Sequence, residues 1–145
     1  MIEIRKATIM EIEKWWDINN PNDDYYKNIF VIENQNGKRK TFYAWVGNKN
    51  IGQATLILNG KCAEINKLEV VPEYRGRGIS SQIIKHLESY ARQNKIKTLT
   101  IGVEPKEVRN MQIYFGWGYT TFVSIAKDEK EGYQYIVYSK QMLEQ

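Results

Sequence analysis

The sequence predicts an α/β (α+β) domain, with a central mixed, mostly antiparallel twisted sheet of six to seven strands flanked by about four helices. Three observations carry this expectation. Turn signals at Gly47-Asn48-Lys49-Asn50 and Asn59-Gly60 separate β-like runs, the pattern of antiparallel hairpins. The run ending Leu68-Glu69-Val70-Val71-Pro72 passes through a glycine-rich turn directly into helical spacing. Two further strand-like runs close the chain around the charged loop Lys127 to Gly132.

Element by element, Ile2, Ile4 and Lys6 alternate as a first strand. Thr8 followed by Glu11 is a capping box, and Ile9, Ile12, Trp15 or Trp16 and Ile18 fit the buried stripe of the helix it opens. Asn19-Asn20-Pro21-Asn22-Asp23-Asp24 breaks that helix, and Tyr25 to Glu33 reads as a second short one. Lys38-Arg39-Lys40 reads as a solvated turn after Asn36-Gly37. Strands follow over Thr41 to Val46, Ile51 to Leu58 and Cys62 to Val71. Ile83, Ile84, Leu87, Tyr90 and Ala91 recur at helical spacing for about four turns, with His86 beside the stripe as a partly exposed residue. A strand near Leu99, a short helix carrying Tyr114, and strands over Thr120 to Ile125 and Tyr133 to Lys140 complete a single expected domain, 1–145.

Composition narrows the class. The longest apolar runs are only a few residues, so no membrane span is expected, and Met1 to Lys6 lacks the layout of a signal peptide. Cys62 is alone, which permits no internal disulfide and points to a reducing, cytoplasmic setting; it reads as a small buried hydrophobe. One cysteine and one histidine do not make a zinc site, so no metal is expected. The net charge of +4 is spread along the chain, and nucleic acid is not an expected partner.

The segment Val70-Val71-Pro72-Glu73-Tyr74-Arg75-Gly76-Arg77-Gly78-Ile79-Ser80 is built to meet an anion. It aims the backbone N–H groups of a turn and a helix N-terminus at one point, and Arg75 and Arg77 add charge. A Walker A string is absent, and the third glycine of a dinucleotide fingerprint is missing after Gly76-Arg77-Gly78. The string fits Arg/Gln-x-x-Gly-x-Gly/Ala after Val-x-Pro-x-Tyr, with Ser80 in the last position. Downstream, Glu107 to Tyr119 carries a tyrosine on a short helix, then three residues, then Gly118-Tyr119. In these two signatures the chain resembles the GCN5-related N-acetyltransferase (GNAT) superfamily, over nearly its whole length.

The resemblance implies the GNAT fold, with the strand before the glycine turn splaying from the parallel strand after its helix to form a cofactor cleft. It implies acetyl-coenzyme A as cosubstrate, with the pyrophosphate on Arg75, Gly76, Arg77, Gly78, Ile79, Ser80 and Ser81, and pantetheine along Leu68, Glu69 and Val70. Tyr114 matches the general acid. The family usually has an asparagine seven positions before that tyrosine, where this chain has Glu107; Asn110 is out of that register and is carried as a cofactor-side residue. The glutamate some members place late in the strand would fall on Gly102, which has no side chain. Glu104, Glu64 and Glu69 remain open as the base, as does a water chain ending at backbone carbonyls.

The expected activity is therefore transfer of acetyl to a primary amine of a small molecule or peptide, by direct attack in a ternary complex. The same fold serving as a non-catalytic acyl-coenzyme A sensor is the alternative. Asp23, Asp24, Tyr25 and Tyr26 offer a polar and aromatic wall for a cationic amine. Adjacent helical residues cannot both face the core centre, and Trp16 is carried as the tryptophan that borders the cleft. A monomer or a homodimer is expected.

Overall fold

In the computed structural model, which describes residues 1–143, seven strands form one sheet. They are β1 (Glu3–Lys6), β2 (Arg39–Val46), β3 (Lys49–Asn59), β4 (Cys62–Val70), β5 (Thr98–Val103), β6 (Thr121–Lys127) and β7 (Gln134–Gln141), in the spatial order β1-β2-β3-β4-β5-β7-β6. Every neighbouring pair is antiparallel except β4 with β5, which is parallel. Four helices accompany the sheet: α1 (Ile9–Asn19), α2 (Asp24–Gln35), α3 (Ile79–Gln93) and α4 (Val108–Gly116).

Alternation along β2 separates the two faces of the sheet. Phe42 and Ala44 join Ile83, Ile84 and Leu87 of α3 in the larger core, which continues through Leu99 and Ile101 of β5. Tyr43 points the other way, into a smaller cluster with Ile12 and Trp16 of α1 and Phe30 of α2. Thr8 caps α1 as a full capping box, with the Glu11 N–H donating to Thr8 Oγ1 at 3.1 Å and the Thr8 N–H to Glu11 Oε1 at 2.9 Å. Helix α2 starts a residue earlier than its apolar pattern indicates because Asp23 caps it, accepting from the Tyr26 N–H at 3.1 Å.

Sequence expectations fail on burial at three positions outside the site. Ile18 is exposed rather than part of the buried stripe, because two residues past the buried Trp16 it falls on the opposite side of α1. Cys62 is exposed, because it is the first residue of β4, next to the Asn59–Gly60 turn at the edge of the packed region. Arg39 is not on a solvated turn but lies in β2 at 5% exposure. Its guanidinium donates to Glu33 Oε1 at 2.9 and 3.1 Å and to Asn66 Oδ1 at 3.3 Å, and sits 4.0 Å over the Phe30 ring. Those partners offset the desolvation that the bare charge run hides.

Strand β4 is bulged. Asn66 pairs with Thr55 and Glu69 with Gln53, so Lys67 and Leu68 together oppose Ala54, and Lys67 takes a φ of +58°. On its other side β4 pairs with β5 only from Cys62 to Ile65, against Thr98 to Ile101. Beyond those residues the parallel strands separate, and a cleft opens between them.

Candidate active site

The turn after β4 is braced by its own arginines. Pro72–Tyr74 is one turn of 3₁₀ helix; Arg75 Nε donates to the Val70 carbonyl at 2.9 Å, and Arg77 Nη2 to the Glu73 carbonyl at 3.0 Å, its guanidinium 4.9 Å over Tyr74. Gly76 and Gly78 both have φ near +76°, and a Cβ built at either meets nothing within 4 Å. Gly78 is the N-cap of α3 and offers no side chain to its first turn. The Gln82 N–H bonds the Gly78 carbonyl at 3.2 Å, while no protein hydrogen bond among the described residues uses the N–H of Ile79, Ser80 or Ser81. Open space in front of two left-handed glycines, beside unbonded amides at the positive end of a 15-residue helix, fits a phosphate group.

The cleft between the separating strands has a volume of about 490 Å³. Tyr114 reaches it from α4, its ring stacked on Trp117 at 5.6 Å. Burial, then the Glu107 carboxylate, push the Tyr114 hydroxyl above the ordinary tyrosine range, so it stays protonated at neutral pH. Leu68 borders the same cleft; Glu69 and Val70 border a second hollow of about 190 Å³ with Trp15 and Arg75.

The three carboxylates proposed as base part company. Glu64 and Glu104 face the main cleft with Tyr114, whereas Glu69 turns to the second hollow and accepts from Gln53 Nε2 at 2.7 Å. Glu64 makes no side-chain hydrogen bond or ion pair among the described residues, and burial raises its pKa against the opposing pull of Arg39. The Glu104 N–H is held by Glu107 Oε1 at 3.1 Å, and Lys106 Nζ stands 3.8 Å from its carboxylate. Asn110 donates to Glu107 Oε2 at 3.1 Å, so the residue in place of the family's asparagine organises the approach to α4.

Gly102 acquires a reason. A Cβ there would lie 2.6 Å from Cδ2 of Tyr135, whose ring from β7 covers the position. Glu64 pairs in register with Thr100, and Gly102 follows Thr100 by two residues on the same face of β5. A carboxylate on the neighbouring strand thus stands diagonally beside the spot that a side chain at 102 would have occupied.

The expected acceptor wall is distributed differently from its sequence. Trp16 is 3% exposed and packs on Phe30 at 5.1 Å; Trp15 is the tryptophan that reaches a hollow, the second one. Tyr25 and Tyr26 hold a cation of the protein itself, Lys130 Nζ, at 4.9 and 5.3 Å, with Asp23 Oδ1 3.9 Å away. Asp24 sits exposed in the first turn of α2. The Tyr26 hydroxyl donates to Asp128 at 3.3 Å, which ties α2 to the β6–β7 loop. That loop and β7 supply Asp128, Glu131, Tyr133 and Tyr135 to the cleft lining, none of which sequence reasoning singled out as a site residue. Their only sequence signal is a dense run of charge and tyrosine between two strands.

The model of the Acetyltransferase (GNAT) family matches residues 7–118, more than half of the chain. The chain belongs to the GNAT acetyltransferase family. No curated protein matches. Solved structures with the same fold include the ribosomal-protein-S18-alanine N-acetyltransferase of Escherichia coli, at 16% identity and a TM-score of 0.79 over 98% of this chain and 94% of that one. A GNAT family acetyltransferase of Elizabethkingia anophelis, solved with acetyl-CoA bound, gives 18% and 0.73 over 97% of each chain. The spermidine/spermine N-acetyltransferase of Vibrio cholerae gives 16% and 0.76 over 98% of this chain and 95% of that one. In this GNAT chain the matched span stops before β6, so the hairpin that walls the cleft lies outside it.

Proposed function

We propose that this protein transfers the acetyl group of acetyl-coenzyme A to the primary amine of a small molecule or peptide, by direct attack with both substrates bound. One observation carries the reading: the free amides of Ile79 to Ser81 stand beyond the end of a parallel strand pair that opens onto Tyr114 and Glu64. The diphosphate falls on the turn from Gly76 through Ser81, where Arg75 and Arg77 hold the backbone and add positive charge. Pantetheine follows the unpaired side of β4 from Leu68 to Val70, as an added strand would.

The cosubstrate supplies an activated thioester; the chain supplies proton management. An aliphatic ammonium has a pKa of about 10 and must lose a proton before it attacks. Glu64 is the best placed base, unpartnered and with its proton affinity raised by burial towards the working pH; Glu104 is the second candidate, directly or through water. The departing thiolate, with a pKa of roughly 8 to 9 by analogy with cysteine, takes a proton from Tyr114.

Thiol release from acetyl-coenzyme A across a panel of primary amines tests the reading. Cys62→Ser protein keeps the exposed native thiol out of the signal. Release that requires an amine supports it. Tight coenzyme A binding without release for any amine favours the second reading, an acyl-coenzyme A sensor, which draws on the loss of a side chain at Gly102 beneath Tyr135.

A further inference from the structure

The cleft carries far more negative charge than one amine needs. Glu64, Glu104, Glu107, Asp128 and Glu131 line it with one lining cation, Lys67, while Lys106 stands 3.8 Å from Glu104 and Arg39 pulls on Glu64 from behind the lining. Lys67 is drawn aside, its Nζ 5.2 Å over Trp15 and 4.0 Å from Glu69. Two of the carboxylates serve the protein. Glu107 accepts from the Glu104 N–H and Asn110, and Asp128 from the Tyr26 hydroxyl and the N–H groups of Lys130 and Glu131. Glu64 and Glu131 have no side-chain partner among the described residues.

These two carboxylates line the same cleft as a pair of neighbouring tyrosines, Tyr133 and Tyr135. Tyr135 covers Gly102, diagonally beside Glu64, whereas Tyr133 follows Glu131 by two residues at the loop, its carbonyl accepting from the Asp128 N–H at 2.9 Å; the two rings stand 6.2 Å apart. Tyrosine faces beside carboxylates attract ammonium groups. The protein already uses that chemistry at the rim, where Lys130 lies over Tyr25 and Tyr26.

We infer that the acceptor is an aliphatic diamine or polyamine: one amine reacts beside Glu64 and Tyr135, while a second ammonium rests at Glu131 and Tyr133. The inference rests on the acetyl-transfer reading above and adds the charge that selects among amines. The partition also gives the hairpin a purpose, since its tip supplies the second cation site and α2 holds that tip in place through Tyr26 and Asp128.

The test compares kcat/KM for butylamine, putrescine and γ-aminobutyrate, which share a four-carbon chain and differ in the far group. The expected order is putrescine above butylamine by about tenfold, with γ-aminobutyrate last. Glu131→Gln and Tyr133→Leu are each expected to narrow the ratio of putrescine to butylamine, a readout that a loss of folded protein does not move. Equal use of putrescine and butylamine, preference for γ-aminobutyrate, or an unchanged ratio in both folded variants overturns the inference and leaves acetyl transfer standing. Absence of thiol release with every amine overturns acetyl transfer instead. Calorimetry on the coenzyme A-bound protein then decides the selection alone, which fails if putrescine binds no more tightly than butylamine.

Discussion

In the proposed mechanism Glu64 acts from β4, diagonally beside Gly102 of β5, where a side chain has no room under Tyr135. Replacing Glu64 with Gln is expected to lower turnover by roughly 10² to 10⁴ with little change in coenzyme A affinity, measured by steady-state thiol release and calorimetry. Burial raises the Glu64 pKa in the folded state, so the stability linked to this carboxyl is fully present below its unfolded value and is lost as pH rises through the folded one. The melting temperature of Glu64→Gln relative to the parent should therefore be higher at pH 8 than at pH 4; the reverse trend contradicts the assignment of a desolvated carboxylate. Tyr114→Phe should cut turnover by roughly 10² to 10⁴ as well. Its hydroxyl is raised above the usual value of about 10, so the alkaline fall in rate should lie above that pH in the parent and change shape in the variant. The place of Tyr114 in the cleft was legible because its signature is local: a short helix, three residues, then a glycine. The lack of a side chain at Gly102 was legible too, but not its cause, since Tyr135 is 33 residues further along and meets Gly102 only through β5–β7 pairing.

At the scale of elements, the β4–turn–α3 unit does most to define the site. Gly78→Val should abolish measurable coenzyme A binding by calorimetry, because a branched side chain fills the space before the amides. It also costs about 1–3 kcal/mol for a left-handed φ of +76°. A folded variant with normal affinity removes the phosphate site from this turn. The glycines and the capping box at Thr8 could be read from residues a few positions apart, and both appear where expected. The β4 bulge could not, because two residues opposing one is a property of register with β3, and neither Lys67 nor Leu68 announces it. Arg39 was misread for a similar reason: a basic run looks solvated until Glu33, Asn66 and Phe30 are brought around it.

Across the whole molecule, a buried polar node ties α3 to β7 and to the segment after α4. The Tyr119 hydroxyl, at 0% exposure, donates to Glu88 Oε2 at 2.7 Å, and Lys140 Nζ donates to the same oxygen at 3.0 Å. The Tyr119 N–H also bonds the Tyr114 carbonyl at 3.0 Å, so the node fixes the end of the helix that carries the proposed acid. Glu88→Ala leaves the buried Tyr119 hydroxyl and the half-buried Lys140 ammonium without their acceptor, and should cost on the order of 1–3 kcal/mol in denaturant unfolding. The order of elements along the chain followed from turn and periodicity signals. The insertion of β7 between β5 and β6 is long-range, and only the resemblance to a known fold anticipated the sheet as a whole.

The central claim is that the backbone amides from Gly76 to Ser81 receive the diphosphate of coenzyme A. Titration of coenzyme A into isotopically labelled protein, followed by amide NMR, measures this directly. The account predicts large, saturable shifts of those amides, with smaller ones along Leu68 to Val70. Saturable binding that leaves the Gly76–Ser81 amides unmoved, or no binding at all, contradicts it.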